Sequence, residues 1–399
     1  RGGGMGETES SVNETLAQRL KRVVGDVQGT PICEALRDVV SEAELGLVNS
    51  TEDLFRPLGV LPVDENVAGI LKAANVSESM ACKMISELGK RRRLEKCFAI
   101  YSSMVARGQN ANLFHYNALI SACAKSDRWM ISLRFMGEME ERGLSPDTIT
   151  YSSLISACGK GKQWEIAQQL LQRMVDNGVS PNIITYNSLI SACEKAGRLD
   201  QALNVFDSLV AAGLKPDVIT YSALISSCEK VGAWETAVGL FQEMKQCGLV
   251  PDVITYNALM SACDKGLQPL RAQESFELML ADGIQPDVIS YAALISSYAS
   301  VGDSSNAERV FSALKETDLR PTNAVYNEVI RSYEAGGEWE KAMALAEEQQ
   351  REGIELVPFS YHLLVAVCEK AERHDLAAEL TAKLGELLVA HAPPAPPGA

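Results

Sequence analysis

Between Leu113 and Asp287, apolar side chains recur in two short helical phases that alternate along the chain. In "IITYNSLISACEK", turning about 100° per residue, positions four, seven, eight and eleven (Tyr186, Leu189, Ile190, Cys193) share one face. Positions two, five, nine and thirteen (Ile184, Asn187, Ser191, Lys195) share the opposite face. A second apolar phase at Leu199, Ala202, Leu203, Phe206 and Leu209 predicts a second amphipathic helix. Gly213 then offers a left-handed C-terminal cap and Pro216 stops further winding; Gly143 with Pro146, Gly178 with Pro181, Gly248 with Pro251 and Gly283 with Pro286 repeat the device. Each unit is predicted to be an αα-hairpin.

The hairpin recurs every 35 residues: "LFHYNALISACAK" begins at Leu113, "TITYSSLISACGK" at Thr148, "VITYSALISSCEK" at Val218 and "VITYNALMSACDK" at Val253. "VISYAALISSYAS", "NAVYNEVIRSYEA" and "PFSYHLLVAVCEK" continue the frame from Val288, and residues 78–112 precede it as a degenerate copy. One hairpin cannot bury both of its apolar stripes, so successive hairpins must stack. The expected fold is all-α, a right-handed α-solenoid of stacked 35-residue helix-turn-helix repeats. Nine units are expected, at 78–112, 113–147, 148–182, 183–217, 218–252, 253–287, 288–322, 323–357 and 358–392, the best formed lying in 113–287. Residues 1–77, with "ETLAQRLKRVV" and "ICEALRDVVSEAEL", are expected to form an N-terminal helical cap or degenerate repeat region, partly disordered, and 393–399 a Pro-rich tail.

Composition changes this picture little. No run of about 18 apolar residues occurs, so no membrane-spanning helix and no membrane partner is expected. The net charge of -15 argues against a generic nucleic-acid binder, which carries a basic excess. Its distribution softens the objection: residues 1–77 and 323–357 each carry a net -5, whereas 78–112 carries +4. Arg91, Arg92 and Arg93 fall between the two helices of that basic unit and read as a solvated turn rather than a dedicated phosphate clamp.

Five of the ten cysteines, Cys123, Cys158, Cys193, Cys228 and Cys263, sit 35 residues apart. Repeat neighbours are separated by about one helix-packing distance, 8–10 Å, and a disulfide needs Cα atoms within about 6.8 Å. They are expected to be small buried hydrophobes in a reducing compartment. No Cys-x-x-Cys pair is present. "SACGKGKQW" from Ser156 resembles a phosphate-binding loop but lacks its spacing and its final hydroxyl. The eight tyrosines from Tyr116 to Tyr361 at position four fall in phase with the Leu/Ile/Cys face and are expected to pack in the core rather than form an aromatic platform.

"VITYNALMSACDK" with the following "DGIQPD", and its neighbours, resemble pentatricopeptide repeats, the purely helical 35-residue hairpins of organellar RNA-binding proteins. The resemblance is close over 113–287 and extends to 78–392. It implies reading of single-stranded RNA at one base per repeat, which needs a hydrogen-bonding side chain, an apolar flank and a cation at fixed places in each unit. The flanking residues at position two are Phe114, Ile149, Ile184, Ile219, Ile254 and Ile289. The phosphate-contacting residues at position thirteen are Lys125, Lys160, Lys195, Lys230 and Lys265, preceded by Lys90. The alternative for these lysines is that they complement the macrodipole at helix ends.

In the family the base selector is the fifth residue with the last. By resemblance, Asn117 with Asp147 implies U, Ser152 with Asn182 implies A, Asn187 with Asp217 implies U, Ser222 with Asp252 implies G, and Asn257 with Asp287 implies U. The implied core is 5′-UAUGU-3′. Cys82 with Asn112 and Ala292 with Thr322 match no clear pair, and Asn327 with Val357 supports a weak pyrimidine preference. Taken alone, the last-position residues are exposed polar groups after a proline turn. The resemblance also implies a chloroplast or mitochondrial setting, with roles in RNA processing, stabilisation or translation. The first residues are too acidic and too poor in arginine to read as a transit peptide.

No enzyme activity and no cofactor are expected. A zinc deaminase needs His-x-Glu and Cys-x-x-Cys, and His115, His362, His374 and His391 supply neither motif. "PPAPPGA" is too short to hold a further domain. Asp147, Asp217, Asp252 and Asp287 fall one to a repeat, not clustered as a metal nuclease requires. The expected partner is single-stranded RNA, bound by a monomer, with protein partners also open. The competing reading is an α-solenoid scaffold for protein–protein interaction, which an acidic chain could offer to a basic partner.

Overall fold

The computed structural model describes residues 77–106 and 108–390. The cap or degenerate repeat expected at 1–77 (Ser77 apart) and the tail at 393–399 lie outside the described residues. The described residues form eighteen helices and no strand. The chain divides between Lys215 and Pro216 into two compact units.

The first unit contains α1 (Glu78–Lys90), α2 (Leu94–Ala106), α3 (Leu113–Lys125), α4 (Trp129–Glu141), α5 (Thr148–Lys160), α6 (Trp164–Asp176), α7 (Ile183–Lys195) and α8 (Leu199–Ala211). The second contains α9 (Val218–Val231), α10 (Trp234–Gln246), α11 (Val253–Lys265), α12 (Pro269–Ala281), α13 (Val288–Ser300), α14 (Ser304–Lys315), α15 (Asn323–Ser332), α16 (Trp339–Arg351), α17 (Pro358–Lys370) and α18 (His374–Ala390). Every odd-numbered helix starts 35 residues after the previous one, in the frame that the apolar pattern predicts. Within each unit the first helices of successive hairpins pack side by side, and each second helix lies against its own first helix and that of the next hairpin.

Local chemistry fixes the ends of these helices. Asp147, Asn182, Asp217, Asp252 and Asp287 are extended N-caps whose side chains accept the backbone N–H three residues on, each worth about 1 kcal/mol. At the other end of the hairpin, Gly143, Gly178, Gly213, Gly248 and Gly283 adopt φ between 71° and 75°, the left-handed conformation predicted for them. Gly143 N–H donates to Glu140 O (2.9 Å) and Leu144 N–H to Met139 O (3.0 Å), the paired bonds that satisfy the last carbonyls of α4.

Packing explains the false phosphate loop. A Cβ on Gly161 would sit 2.3 Å from Trp129 Cδ1, and one on Gly266 would sit 2.2 Å from Trp234 Cδ1. The indole that opens the second helix of one repeat therefore occupies the space beside the turn of the next. These glycines are there for the indoles, not for a phosphate. Gly159 is similarly tight, its added Cβ falling 2.9 Å from Ala192 Cβ across the α5–α7 contact.

The position-four tyrosines point inward: seven of the eight, from Tyr116 to Tyr326, are buried, and Tyr361 is half-buried. Five of their hydroxyls reach polar groups near the end of the second helix of the same repeat. Tyr151 accepts from Asn177 (2.8 Å), Tyr221 donates to Glu243 (3.0 Å) and Tyr326 donates to Glu352 (2.7 Å). The five periodic cysteines are buried and free. Burial pushes the Cys158 thiol up to about 12 and those of Cys193, Cys228 and Cys263 up to about 11, so they behave as apolar filling rather than nucleophiles.

Candidate functional site

The N-cap and position-three residues build the site. Asp147 accepts Thr150 N–H (2.9 Å), and Asp147 N–H donates to Thr150 Oγ1 (3.2 Å). This reciprocal box holds the start of α5 beside Asn117 on α3. Asn117 Nδ2 donates to Asp147 Oδ1 (3.1 Å) and Oδ2 (3.2 Å), and Thr150 Oγ1 lies 2.5 Å from Asn117 Oδ1. The fifth residue of one repeat, its last residue and the third residue of the next thus form one hydrogen-bonded triad. In the second unit Asn257 Nδ2 donates to Asp287 Oδ1 (3.1 Å), and Ser290 Oγ donates to Asn257 Oδ1 (2.6 Å).

The serine repeats differ. Ser152 Oγ lies 2.8 Å from Thr185 Oγ1, and Asn182 Oδ1 accepts Thr185 N–H at 3.0 Å. Ser222 Oγ lies 2.5 Å from Thr255 Oγ1 and donates to Val218 O (2.7 Å), while Asp252 accepts Thr255 N–H (2.8 Å). A serine stops short where an asparagine amide would stand. Asn187 is buried on α7, and Asp217 caps α9 by accepting Thr220 N–H at 2.9 Å.

The fifth residues are largely enclosed: Asn117 is 7% exposed and Ser152 8%, because adjacent first helices pack closely enough to enclose the residue between them, and Ser222 and Asn257 are half-buried. One expectation needs correction. The last-position residues are not merely exposed loop groups: Asp147, Asn182, Asp217 and Asp287 are half-buried, and all five are helix caps. Sequence reasoning missed Thr150, Thr185, Thr220, Thr255 and Ser290, all buried and each bonded to the N-cap residue of its own helix. The signal was available: Asp or Asn three residues before Thr or Ser, ahead of an apolar run, marks a capping box.

An asparagine amide has two N–H donors and its carbonyl two lone pairs. In each Asn triad one donor and one lone pair are used, which orients the group and leaves the other pair for a ligand. Beside the triads stand the position-two residues, from 60% exposed at Ile149 to 69% at Phe114; Ile184, Ile219, Ile254 and Ile289 fall between. A large apolar side chain is costly to leave in water, and here one recurs once per repeat.

The position-thirteen lysines are not uniform. Lys160 Nζ donates to Ala124 O (2.8 Å) in the last turn of α3 and lies 3.8 Å from Asp127. Lys265 pairs with Glu229 at 3.4 Å and Lys90 with Glu87 at 3.3 Å. Lys125 is half-buried, and Lys195 and Lys230 are exposed. Lys160 thus sits on a last-turn carbonyl of a neighbouring helix.

The network fades toward the C-terminal end. Thr322 and Val357 make no side-chain cap bond. Asn327 Oδ1 and Ser360 Oγ, which stand where Asn257 and Ser290 bond each other, are buried without a hydrogen-bond partner. The cap after the first repeat differs: His115 Nε2 lies 2.9 Å from Glu78 O and its Nδ1 2.7 Å from Asn112 Oδ1. Among the described residues no group of three or more His, Cys, Asp or Glu could hold a metal ion, and no helix is long and apolar enough to cross a membrane.

The triad has a pH signature. Burial opposes ionisation of Asp287, but bonds from Ser290 N–H, Asn257, Ser290 Oγ and Ile289 N–H outweigh it and hold the carboxyl below its ordinary 3.8. A folded value below the unfolded one means this stabilisation is complete above the unfolded value and lost as pH falls through the folded one. Urea unfolding followed by tryptophan fluorescence should therefore show stability falling below about pH 4. Asp287→Asn, which can still cap as Asn182 does, should flatten that fall, and an unchanged slope would show that Asp287 is not coupled to the fold.

The fold and the triads define a helical-repeat protein of the hairpin-stacking class, and the comparisons place it further. Three family models match: the pentacotripeptide-repeat region of PRORP over 72–235, the PPR repeat family over 218–265 and the pentatricopeptide repeat domain over 276–335. The chain belongs to the pentatricopeptide-repeat family. No curated protein matches it. Among solved structures, PPR10 in complex with an 18-nt psaJ RNA element shares its fold at 20% identity and a TM-score of 0.70, over 93% of this chain and 54% of that one. PPR10 from maize matches with a TM-score of 0.68 at 20% identity, over 93% of this chain and 52% of that one. The chain spans about half the length of these solved relatives.

Proposed function

We propose that the protein binds single-stranded RNA in a sequence-specific manner, one base per repeat, through the position-two and position-five residues of repeats 113–287. The observation that carries this reading is the pairing, in each repeat, of an exposed position-two side chain with a position-five polar group; in the Asn117 and Asn257 repeats hydrogen bonds orient that group and leave part of its capacity free. The exposed side chain can cover the face of a base, while the oriented group meets the base edge. PPR10, which shares the fold, is a protein solved with RNA bound. The organellar setting and a role in processing, stabilisation or translation belong to the same proposal, as does action without catalysis.

With Asn117, Ser152, Asn187, Ser222 and Asn257 as selectors, the proposed core is 5′-UAUGU-3′. Selection from a random RNA pool should enrich that core. Recovery of RNA with no common core would favour the protein-scaffold reading instead.

A further inference from the structure

The arginine run is the motif that base reading leaves unused. Arg92, Arg93, Lys96 and Arg128 line one groove of about 550 Å³ in the first unit, where the α1–α2 turn meets the start of α4. Four cations face it with a single carboxylate, Glu95. The other nearby acids are engaged elsewhere: Glu87 with Lys90 (3.3 Å) and Arg91 (3.4 Å), and Asp127 with Lys160 (3.8 Å). Arg92, Arg93 and Arg128 are exposed and form no ion pair among the described residues, while Lys96 is only 8% exposed.

The turn geometry keeps the Arg128 side chain available. At the position of Arg128, Arg198 lies over the Trp164 ring (5.8 Å to the centroid) and Arg373 over the Trp339 ring (4.2 Å). For Arg128 the corresponding neighbour is Leu94, which offers no aromatic face and itself lines the groove. Arg128 is also the N-cap of α4 and makes no side-chain cap bond, so the first amides of that helix add partial positive charge.

We propose that this groove binds backbone phosphates of the RNA strand where it runs beyond the base-reading triads, and so adds sequence-independent affinity that five bases alone do not supply. The proposal rests on the RNA-binding reading above. Several cations around one groove suit closely spaced phosphates, and arginine forks match their oxygens in pairs.

The test uses the full chain with Arg92→Gly, Arg93→Gln and Arg128→Gln combined. Glycine suits the left-handed φ of 56° at Arg92, and the melting curve checks that folding is intact. Binding by fluorescence anisotropy is compared for UAUGU alone and for the same core flanked on both sides by adenosine tracts. Wild type should bind the flanked RNA more tightly and with a steeper salt dependence. The variant should lose on the order of tenfold on flanked RNA, with the log–log salt slope shallower by about 2, and little on the bare core. Arg93→Lys with Arg128→Lys, keeping Arg92, should retain most of the slope. A variant that keeps the wild-type advantage for flanked RNA overturns the groove while leaving base reading intact. Wild type that shows no preference for the core, yet loses flank-dependent affinity in the variant, overturns base reading and keeps the groove. Wild type that binds neither RNA overturns both.

Discussion

Ser222→Asn should move the preference at the fourth base of the bound RNA from G toward U and leave the other four bases unchanged. The partners that an asparagine needs are already in place. Asp252 caps α11 and Thr255 stands beside the Ser222 hydroxyl at 2.5 Å, as Asp287 and Ser290 stand around Asn257. The longer side chain would donate to Asp252 and accept from Thr255, filling the space that a short hydroxyl leaves for a purine. A matched pair of hydrogen bonds discriminates by about 1–3 kcal/mol, so a switch of roughly tenfold or more is expected in competition binding with UAUGU and UAUUU. An affinity change without a change of preferred base would remove Ser222 from the selector role.

Replacing Lys125, Lys160, Lys195, Lys230 and Lys265 together with Gln should weaken binding to every RNA sequence alike. If all five contact phosphate, single-strand counterion release gives this row a log–log salt slope of up to about 3.5, and the variant should lose most of it. The structure refines the expectation within the row. Lys160 already holds Ala124 O and Lys265 already pairs with Glu229, so Lys195 and Lys230, both exposed, should account for more of the slope than those two. Lys160→Gln alone should also lower stability by about 0.5–1 kcal/mol, the worth of a cation at a helix end. An unchanged slope in the five-fold variant, measured by titrating salt against a fixed RNA, would assign the whole row to helix ends.

Much of the architecture was legible in the residues because it is local and periodic. The phase of Tyr186, Leu189, Ile190 and Cys193 is enough to orient α7, and Gly213 followed by Pro216 is enough to end its hairpin. Repetition makes the inference strong, since each unit tests the same frame. The position-two row was readable for the same reason: a β-branched or aromatic residue on the side away from the core face recurs at one place, and it is exposed.

What the sequence alone determined, then, is the hairpin, its period and the residues that share each face, because helix phase and cap chemistry act over a few neighbouring positions. Only the tertiary structure decided what happens between hairpins. The bonds from Asn117 to Asp147 and Thr150 join residues about a full repeat apart, and they exist because two first helices pack closely enough to bury the residue between them. The same packing places Trp129 over Gly161, sets Lys160 on a neighbouring helix end, and gathers Arg92, Arg93, Lys96 and Arg128 around one groove. Periodicity says which way each side chain faces from its own helix; what it meets there depends on the distance and angle to the next helix, which no single repeat encodes.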